Sequence, residues 1–439
     1  MSDLFGKIGF VLETYWQGMV GIERQFYAER IAGVQNAKLK RLIHHCFKNT
    51  KYYGEIFRRA GIGPGEIKTV QDLSRIPILT KGELRARFWD FLPRQLPKCR
   101  VSQTSGSTGV PVCILSDRSS RMFNSAAVIR YRQALGVGFV GGAILTPLKT
   151  GNEPYIKKAG WTFLQGIHKT YYVNPYVDSS ENGRYARRLL TKIKRPAIIG
   201  ITPAVKALAY KIRDGDFPAF EPRAILTVGE RLTPEVKGLI ESTFGTKVSD
   251  IYACNEGGDI GWQCPQSEGY HINADNVIVE ILKGDEPVAD GETGEVVITD
   301  LNRYAMPIIR YKNGDLARFK KEACPCGCKL PMIAEIIGRS GEDICLPGGK
   351  MMPWNQLKSA MNHPQIRHFQ LVQNEDSSFK VKYVAEKEAD IKSIEKLLLY
   401  RYENLLGSSI AIKIERVRTI RQAPSGKSKL VISHYKGTK

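Results

Sequence analysis

The chain has 439 residues, too many for one compact core, and this length suggests two to three domains. Its 42% hydrophobic and 25% charged residues fit a soluble globular protein, and no run of about 18 apolar residues offers a membrane span. Sixty-five Lys and Arg against 44 Asp and Glu give a formal charge of +21, a field that attracts polyanions such as nucleic acid, anionic lipid or phosphorylated substrates. The basic residues are scattered, without an arginine-rich tail or a nucleic-acid motif. The charge therefore reads first as a solvated surface that favours anionic substrates, and no nucleic-acid partner is expected.

The N-terminus is interrupted by charge at Asp3 and Lys7 and lacks a small-residue cleavage site, so it makes a poor signal peptide and a cytoplasmic location is expected. The stretch from Phe5 to Tyr27 is amphipathic enough to rest on an anionic membrane, a weaker reading. Residues 1–95 are expected to be helical. Ala37 to Phe47 carries apolar residues at helical spacing, Thr69 is a capping residue, and Thr80 with Glu83 three positions on forms a capping box.

Next comes Thr104-Ser105-Gly106-Ser107-Thr108-Gly109, between the strand-like runs Arg100–Gln103 and Val110–Leu115. Short apolar strands then alternate with helical stretches to about Thr299. Ala197–Ile201, Ala224–Val228 and Lys247–Tyr252 are strands, separated by helices over Thr202–Arg213 and Thr233–Phe244. This alternation predicts an α/β sheet buried on both faces. Val277–Leu282 and Glu295–Thr299 form a long hairpin around the turn Ala289–Gly294. A boundary is expected near Gly338–Gly341. Beyond it, strands at 369–372, 379–384 and 412–417 and a helix over Ile391–Leu406 make a small α+β unit. The expected division is 1–95, a helical part of the large domain, 96–338, its core, and 339–439, a small C-terminal domain.

Several residues carry candidate chemistry. Two glycines and four hydroxyl residues between strands make a phosphate grip, because glycine lets the backbone approach closely and hydroxyls and free N–H groups donate to phosphate oxygens. The turn is not the common nucleotide P-loop, since no Gly-Lys-Ser/Thr follows. Taken alone, such a stretch is more often an ordinary polar hairpin turn. Glu256 follows a buried strand and precedes two glycines, where an acid can point into a cleft at the carboxyl edge of the sheet and hold Mg²⁺. The alternative is a solvated loop acid. Asp315, after the glycine of Tyr311-Lys312-Asn313-Gly314-Asp315 and placed at a strand end, can accept two hydrogen bonds from a ribose or serve only as a turn residue. Lys427, in a Pro- and Gly-containing loop, is a mobile cation or simply solvated. Nine cysteines, three of them in Cys324-Pro325-Cys326-Gly327-Cys328, argue for metal or chance rather than disulfides in a reducing compartment.

In order and spacing these motifs resemble the adenylate-forming superfamily of acyl-CoA synthetases. Within it they are similar to the phenylacetate-CoA ligase-like family, in its CapK-like branch associated with capsular polysaccharide biosynthesis. The resemblance runs from Ala60–Ile67 and Asp72–Lys81 through Thr104–Pro111, Val228–Pro234, Ile251–Glu256 and Met306–Leu316 to Ile337–Arg339 and Ser425–Lys427. It implies a large N-terminal domain with mixed sheets and a small mobile C-terminal lid. The implied activity is a carboxylic acid ligase that forms an acyl-adenylate from ATP, releases pyrophosphate and transfers the acyl group to coenzyme A. An alternative acceptor is an amine or carrier, as in an amide synthetase; a catalytically silent scaffold is the reading from another class.

By resemblance, Ser105, Gly106, Ser107, Thr108 and Gly109 grip ATP phosphates and Glu256 ligates Mg²⁺. Gly229, Glu230 and Tyr252 flank adenine, Asp315 holds ribose, Arg339 lies near ribose or phosphate, and Lys427 stabilises charge during adenylation. Cys264, His271, Cys324 and Cys326 match a structural Zn²⁺ set of the family, with Cys328 able to replace either neighbour. A homodimer is compatible with the chain. Ala253, Cys254 and Asn255 depart from the Gly and Thr/Ser of relatives, and Gly341 stands where a hinge acid is usual.

Overall fold

The computed structural model describes residues 2–103, 112–138, 140–147, 158–162, 167–176, 180–339, 344–352, 356–357, 360–361, 363, 365–386, 388–407, 409–420 and 430–435. Two compact units are formed, Met1–Ile337 and Gly338–Lys439.

The first unit opens with helices α1 (Ser2–Arg24), α2 (Ala28–Asn49), α3 (Lys51–Arg59) and α4 (Lys81–Ala86). Leu39, Leu42, Ile43 and Cys46, at helical spacing on α2, are buried together, as the apolar period requires. Thr80 accepts the backbone N–H of Glu83 while the Glu83 side chain accepts that of Thr80, which fixes the start of α4. An antiparallel pair, β1 (Arg100–Gln103) and β2 (Cys113–Ser116), follows in the register Gln103 opposite Cys113.

Asp117 caps α5 (Arg118–Ala134). The alternating section then contains β3 (Val140–Pro147), β4 (Lys158–Thr162), β5 (Ile167–Val173), α6 (Ser180–Lys192), β6 (Ala197–Ile201), α7 (Thr202–Arg213), β7 (Ala224–Val228), α8 (Pro234–Phe244) and β8 (Val248–Cys254). It continues with β9 (Gly258–Cys264), β10 (Ser267–Ile272), β11 (Val277–Lys283), β12 (Glu286–Pro287), β13 (Gly294–Asp300), β14 (Tyr311–Lys320) and β15 (Met332–Arg339).

All thirteen strands from β3 to β15 join one mixed sheet, in the order β12-β11-β13-β14-β15-β10-β9-β8-β7-β6-β3-β5-β4. Strands β5, β3, β6, β7 and β8 pair in parallel. Because side chains alternate along a strand, Ile198 and Ile225 pack with α6–α8, while their neighbours Ala197, Ala224 and Leu226 pack with Val128 and Tyr131 of α5 and with Leu135 just after it. Burial on both faces is why these strands read as unbroken apolar runs.

In the second unit, β16 (Ile344–Cys345) pairs with β17 (Met351–Met352). The strands β18 (Ile366–Gln373), β19 (Phe379–Ala385), β20 (Ile412–Arg416) and β21 (Val431–Ser433) form a sheet in the order β20-β19-β18-β21. Helix α9 (Ile391–Leu406), capped by Asp390, buries Ile394, Leu398 and Tyr402 with Leu371, Val381 and Tyr383. Among the described residues no helix is long and apolar enough to cross a membrane.

Candidate active site

Parallel strands present their carboxyl ends along one edge, the usual ligand edge of an α/β sheet. Strands β6 and β7 end there together, with Ile201 opposite Val228, and Val228 lies opposite Ile251 of β8. Gly229 therefore follows β7 beside Tyr252. It adopts φ 88°, a left-handed conformation that a side chain would disfavour. The Thr202 hydroxyl donates to the Glu230 carbonyl (2.8 Å) and holds this turn against the start of α7.

Tyr252 is buried, and its hydroxyl donates to Asp315 Oδ2 at 2.7 Å. Asn313 Nδ2 donates to both the Tyr252 hydroxyl (2.7 Å) and Asp315 Oδ2 (3.1 Å), and Asn313 Oδ1 accepts the Asp315 N–H. Burial, and then the Asp315 charge, push the Tyr252 phenol well above its ordinary range, so it remains a donor. Asp315 is not at a strand end as the glycine before it suggested. It lies within β14, where the register with β13 shifts between Glu295 and Val297. That irregularity accommodates Gly314 at φ 87° without ending the strand.

Glu256 lies just beyond β8 and is buried, with Oε1 accepting the Tyr311 hydroxyl at 3.0 Å. It is not the solvated loop acid that its sequence neighbourhood also allowed. Asn255 Nδ2 donates to the carbonyl of Gln103 (2.9 Å), the residue immediately before the candidate phosphate turn. Arg303 reaches the other strand of that hairpin, donating to Leu115 O (3.0 Å) and Ser116 Oγ (2.8 Å), and also to Asn255 O (3.2 Å). Thus both strands flanking the turn are tied to the segment that carries Glu256. The turn residues Ser105, Gly106, Ser107, Thr108 and Gly109, and Lys427, lie outside the described residues. Arg339 ends β15, one residue into the second unit.

Sequence reasoning did not single out Asn255, Arg303, Asn313 or Tyr311 as partners. Asn313 and Tyr311 stood inside a quoted motif. Arg303 carried no signal for these bonds, because Leu115, Ser116 and Asn255 are far away along the chain; its near partner is Asp300, whose Oδ2 accepts from Arg303 Nε at 3.0 Å. Cys254, a departure from relatives, is half-buried and its sulfur accepts the Gly257 N–H (3.2 Å).

A second cluster lies on β9, β10 and the loop before β15. The ligand atoms of Cys264, His271, Cys324 and Cys326 all lie within 4.8 Å of one another. Cys264 Sγ is 3.4 Å from Cys324 Sγ, and Cys326 Sγ is 3.4 Å from His271 Nε2. Metal–sulfur bonds of about 2.3 Å in a tetrahedron put sulfurs about 3.8 Å apart, so the four donors fit one thiophilic ion. Burial lowers His271 to about 4, leaving the imidazole neutral and able to ligate at neutral pH. Cys328 does not join the set; its sulfur faces Gln25 Oε1 at 4.0 Å. Trp262, fully buried, lies 4.9 Å from the His271 ring, and it pairs with Ile251 of β8. The cluster therefore sits on β9, which pairs with β8 beside Tyr252, and on β10, which pairs with β9.

The fold is that of adenylate-forming CoA ligases. A structure of 2-hydroxyisobutyryl-CoA ligase in the postadenylation state with 2-HIB-AMP superposes with a TM-score of 0.73 at 19% identity, covering 93% of this chain and 90% of that one. More narrowly, the chain is similar in sequence to CapK and to phenylacetate-CoA ligases, and residues 348–434 match the CapK C-terminal domain. CapK of Staphylococcus aureus is 24% identical, over 99% of this chain and 96% of its own length. The phenylacetate-coenzyme A ligase of Thermus thermophilus is 26% identical, over 78% of each chain.

Proposed function

We propose that the protein is an ATP-dependent carboxylic acid ligase. A substrate carboxylate attacks the α-phosphorus of ATP, giving an acyl-adenylate and releasing pyrophosphate. The thiol of coenzyme A then attacks the acyl carbonyl and AMP leaves. The observation that carries this reading is the convergence of Glu256, the Tyr252–Asn313–Asp315 set and the base of the β1–β2 hairpin at one sheet edge. The relatives named for such ligation, and the fold shared with a ligase in complex with 2-HIB-AMP, support it.

In this reading no enzyme nucleophile is needed, and catalysis is alignment and charge neutralisation. Residues 105–109 donate to the phosphates, Gly229, Glu230 and Tyr252 flank adenine, Asp315 accepts from the ribose hydroxyls, and Arg339 contributes positive charge near ribose or phosphate. Glu256 would hold Mg²⁺, which supplies neutralisation of phosphate charge. An acid panel assayed for ATP-dependent pyrophosphate release, with hydroxylamine trapping of the acyl-adenylate, tests the reading; no release with any acid overturns it. The same panel with and without coenzyme A decides the acceptor. The match to the CapK C-terminal domain favours, as the second reading, transfer to an amine or carrier.

Lys427→Ala is expected to lower pyrophosphate release by about 10²-fold or more, while transfer from preformed acyl-AMP stays within about threefold of wild type. Single-turnover assays of the two half-reactions check this, and loss of neither removes Lys427 from adenylation.

Cys264, His271, Cys324 and Cys326 would hold a structural Zn²⁺, since all four positions are filled by protein donors. Metal analysis is expected to find about one zinc per chain, and chelation to lower the melting temperature and change the fluorescence of Trp262. Less than about half an equivalent would remove the site.

A further inference from the structure

The carboxylate of Asp250 is used by neither the proposed reaction nor the metal cluster, yet it is buried two residues before Tyr252 on the same face of β8. Its Oδ1 accepts from the Thr227 hydroxyl of β7 (2.6 Å) and its Oδ2 from the Tyr270 hydroxyl of β10 (2.8 Å). Strand β9 lies between β8 and β10, so Tyr270 must lean across it to reach Asp250. The crossing point is Gly261, which pairs with Tyr252 on one side and Ile272 on the other. A Cβ on Gly261 would stand 3.2 Å from the Tyr270 Cβ. The absence of a side chain therefore leaves room for the Tyr270 ring to lie against the Tyr252 ring, with centroids 6.3 Å apart and planes at 65°. The Asp250 backbone N–H donates to Gln263 Oε1, which closes the gap on β9 (3.1 Å).

A buried carboxylate held by hydroxyls is costly compared with an apolar core. What it does here is hold the phenol end of Tyr270, and so the plane of that ring, which forms one wall against Tyr252. We propose that Asp250 is a positioning residue for nucleotide binding: through Tyr270, passing over Gly261, it sets the orientation in which Tyr252 and Asp315 meet the ribose. The proposal rests on the reading that Tyr252 and Asp315 hold the adenosine part of ATP.

The test measures binding of Mg-ATP and Mg-2′-deoxy-ATP to the full chain by calorimetry, which needs no knowledge of the acid. Wild type is expected to bind ATP about tenfold tighter than 2′-deoxy-ATP, the size of one lost hydrogen bond to a charged acceptor. Asp250→Asn and Tyr270→Phe should each weaken ATP about five- to tenfold and change 2′-deoxy-ATP by less than about twofold, so that discrimination collapses. Tyr270→Phe keeps the ring and its packing, and decides the matter if Asp250→Asn fails to fold. A wild-type protein that does not distinguish the two nucleotides overturns the ribose reading and the proposal with it. A wild type that distinguishes them, with folded variants that do so equally well or that weaken both nucleotides alike, overturns the positioning role alone.

Discussion

Glu256→Gln is expected to reduce ATP-dependent pyrophosphate release by about two to three orders of magnitude, the size typical of losing one preorganised charge partner of a transition state. The side chain is buried at the end of β8 and accepts the Tyr311 hydroxyl, and glutamine preserves its shape and can still accept that bond. What glutamine lacks is the negative charge that would hold Mg²⁺ beside the phosphates. Folding should therefore change little, and part of the lost rate should return as Mg²⁺ is raised. Steady-state rates over a magnesium series, with melting temperature as control, check this. Activity within about threefold of wild type at low magnesium would remove Glu256 from the metal role.

Asp275→Asn is expected to cost the first unit about 3–5 kcal/mol, because it strips the counter-charge from buried cations. Asp275 lies in the turn between β10 and β11, where Arg130 donates to both carboxylate oxygens (3.1 and 2.9 Å) and Arg24 to one (3.3 Å). Lys38, whose ammonium burial lowers to about 7 while the Asp275 charge opposes that shift, donates to the Asp275 carbonyl at 2.6 Å. Burial alone would raise the Asp275 carboxyl, but Arg130, Lys38 and Arg24 together hold it at about 2. The unfolded value is about 3.9, so this group adds stability that is fully present above about pH 4 and fades as pH falls towards 2. The difference between wild type and variant in denaturant unfolding should therefore shrink below about pH 4; it should also grow as pH falls through about 7, because Lys38 titrates there and in the variant loses the Asp275 charge that raises it. A difference under about 1 kcal/mol at pH 7 would show that the network contributes little. These residues join α1, α2 and α5 to the strand turn, so the loss should appear as a single lowered transition of the first unit.

The α/β class and the helices over 202–213 and 391–406 were legible in the residues, because apolar period and capping chemistry act within a few positions. The capping box at Thr80 is of the same kind. Asp315 shows where local reading stopped. Glycine before an acid signals a turn, but whether the strand ends there depends on a partner strand able to absorb an irregular register, here β13. Glu256 was ambiguous for a related reason: burial is a property of what packs over a residue, not of its neighbours in sequence.

From residue types alone came the donor chemistry of Cys264, His271, Cys324 and Cys326, the helix and strand periods, and the order of motifs that marks the family resemblance. Only the tertiary structure decided that Cys328 stands apart, that Arg303 and Asn255 anchor the hairpin beside Glu256, and that Tyr270 crosses Gly261 to Asp250. The reason is physical. Local propensity is set by torsions and side-chain spacing over a few residues, whereas a site is built from strand order and long-range packing. In this chain the residues that meet at one sheet edge come from positions as far apart as 103 and 315.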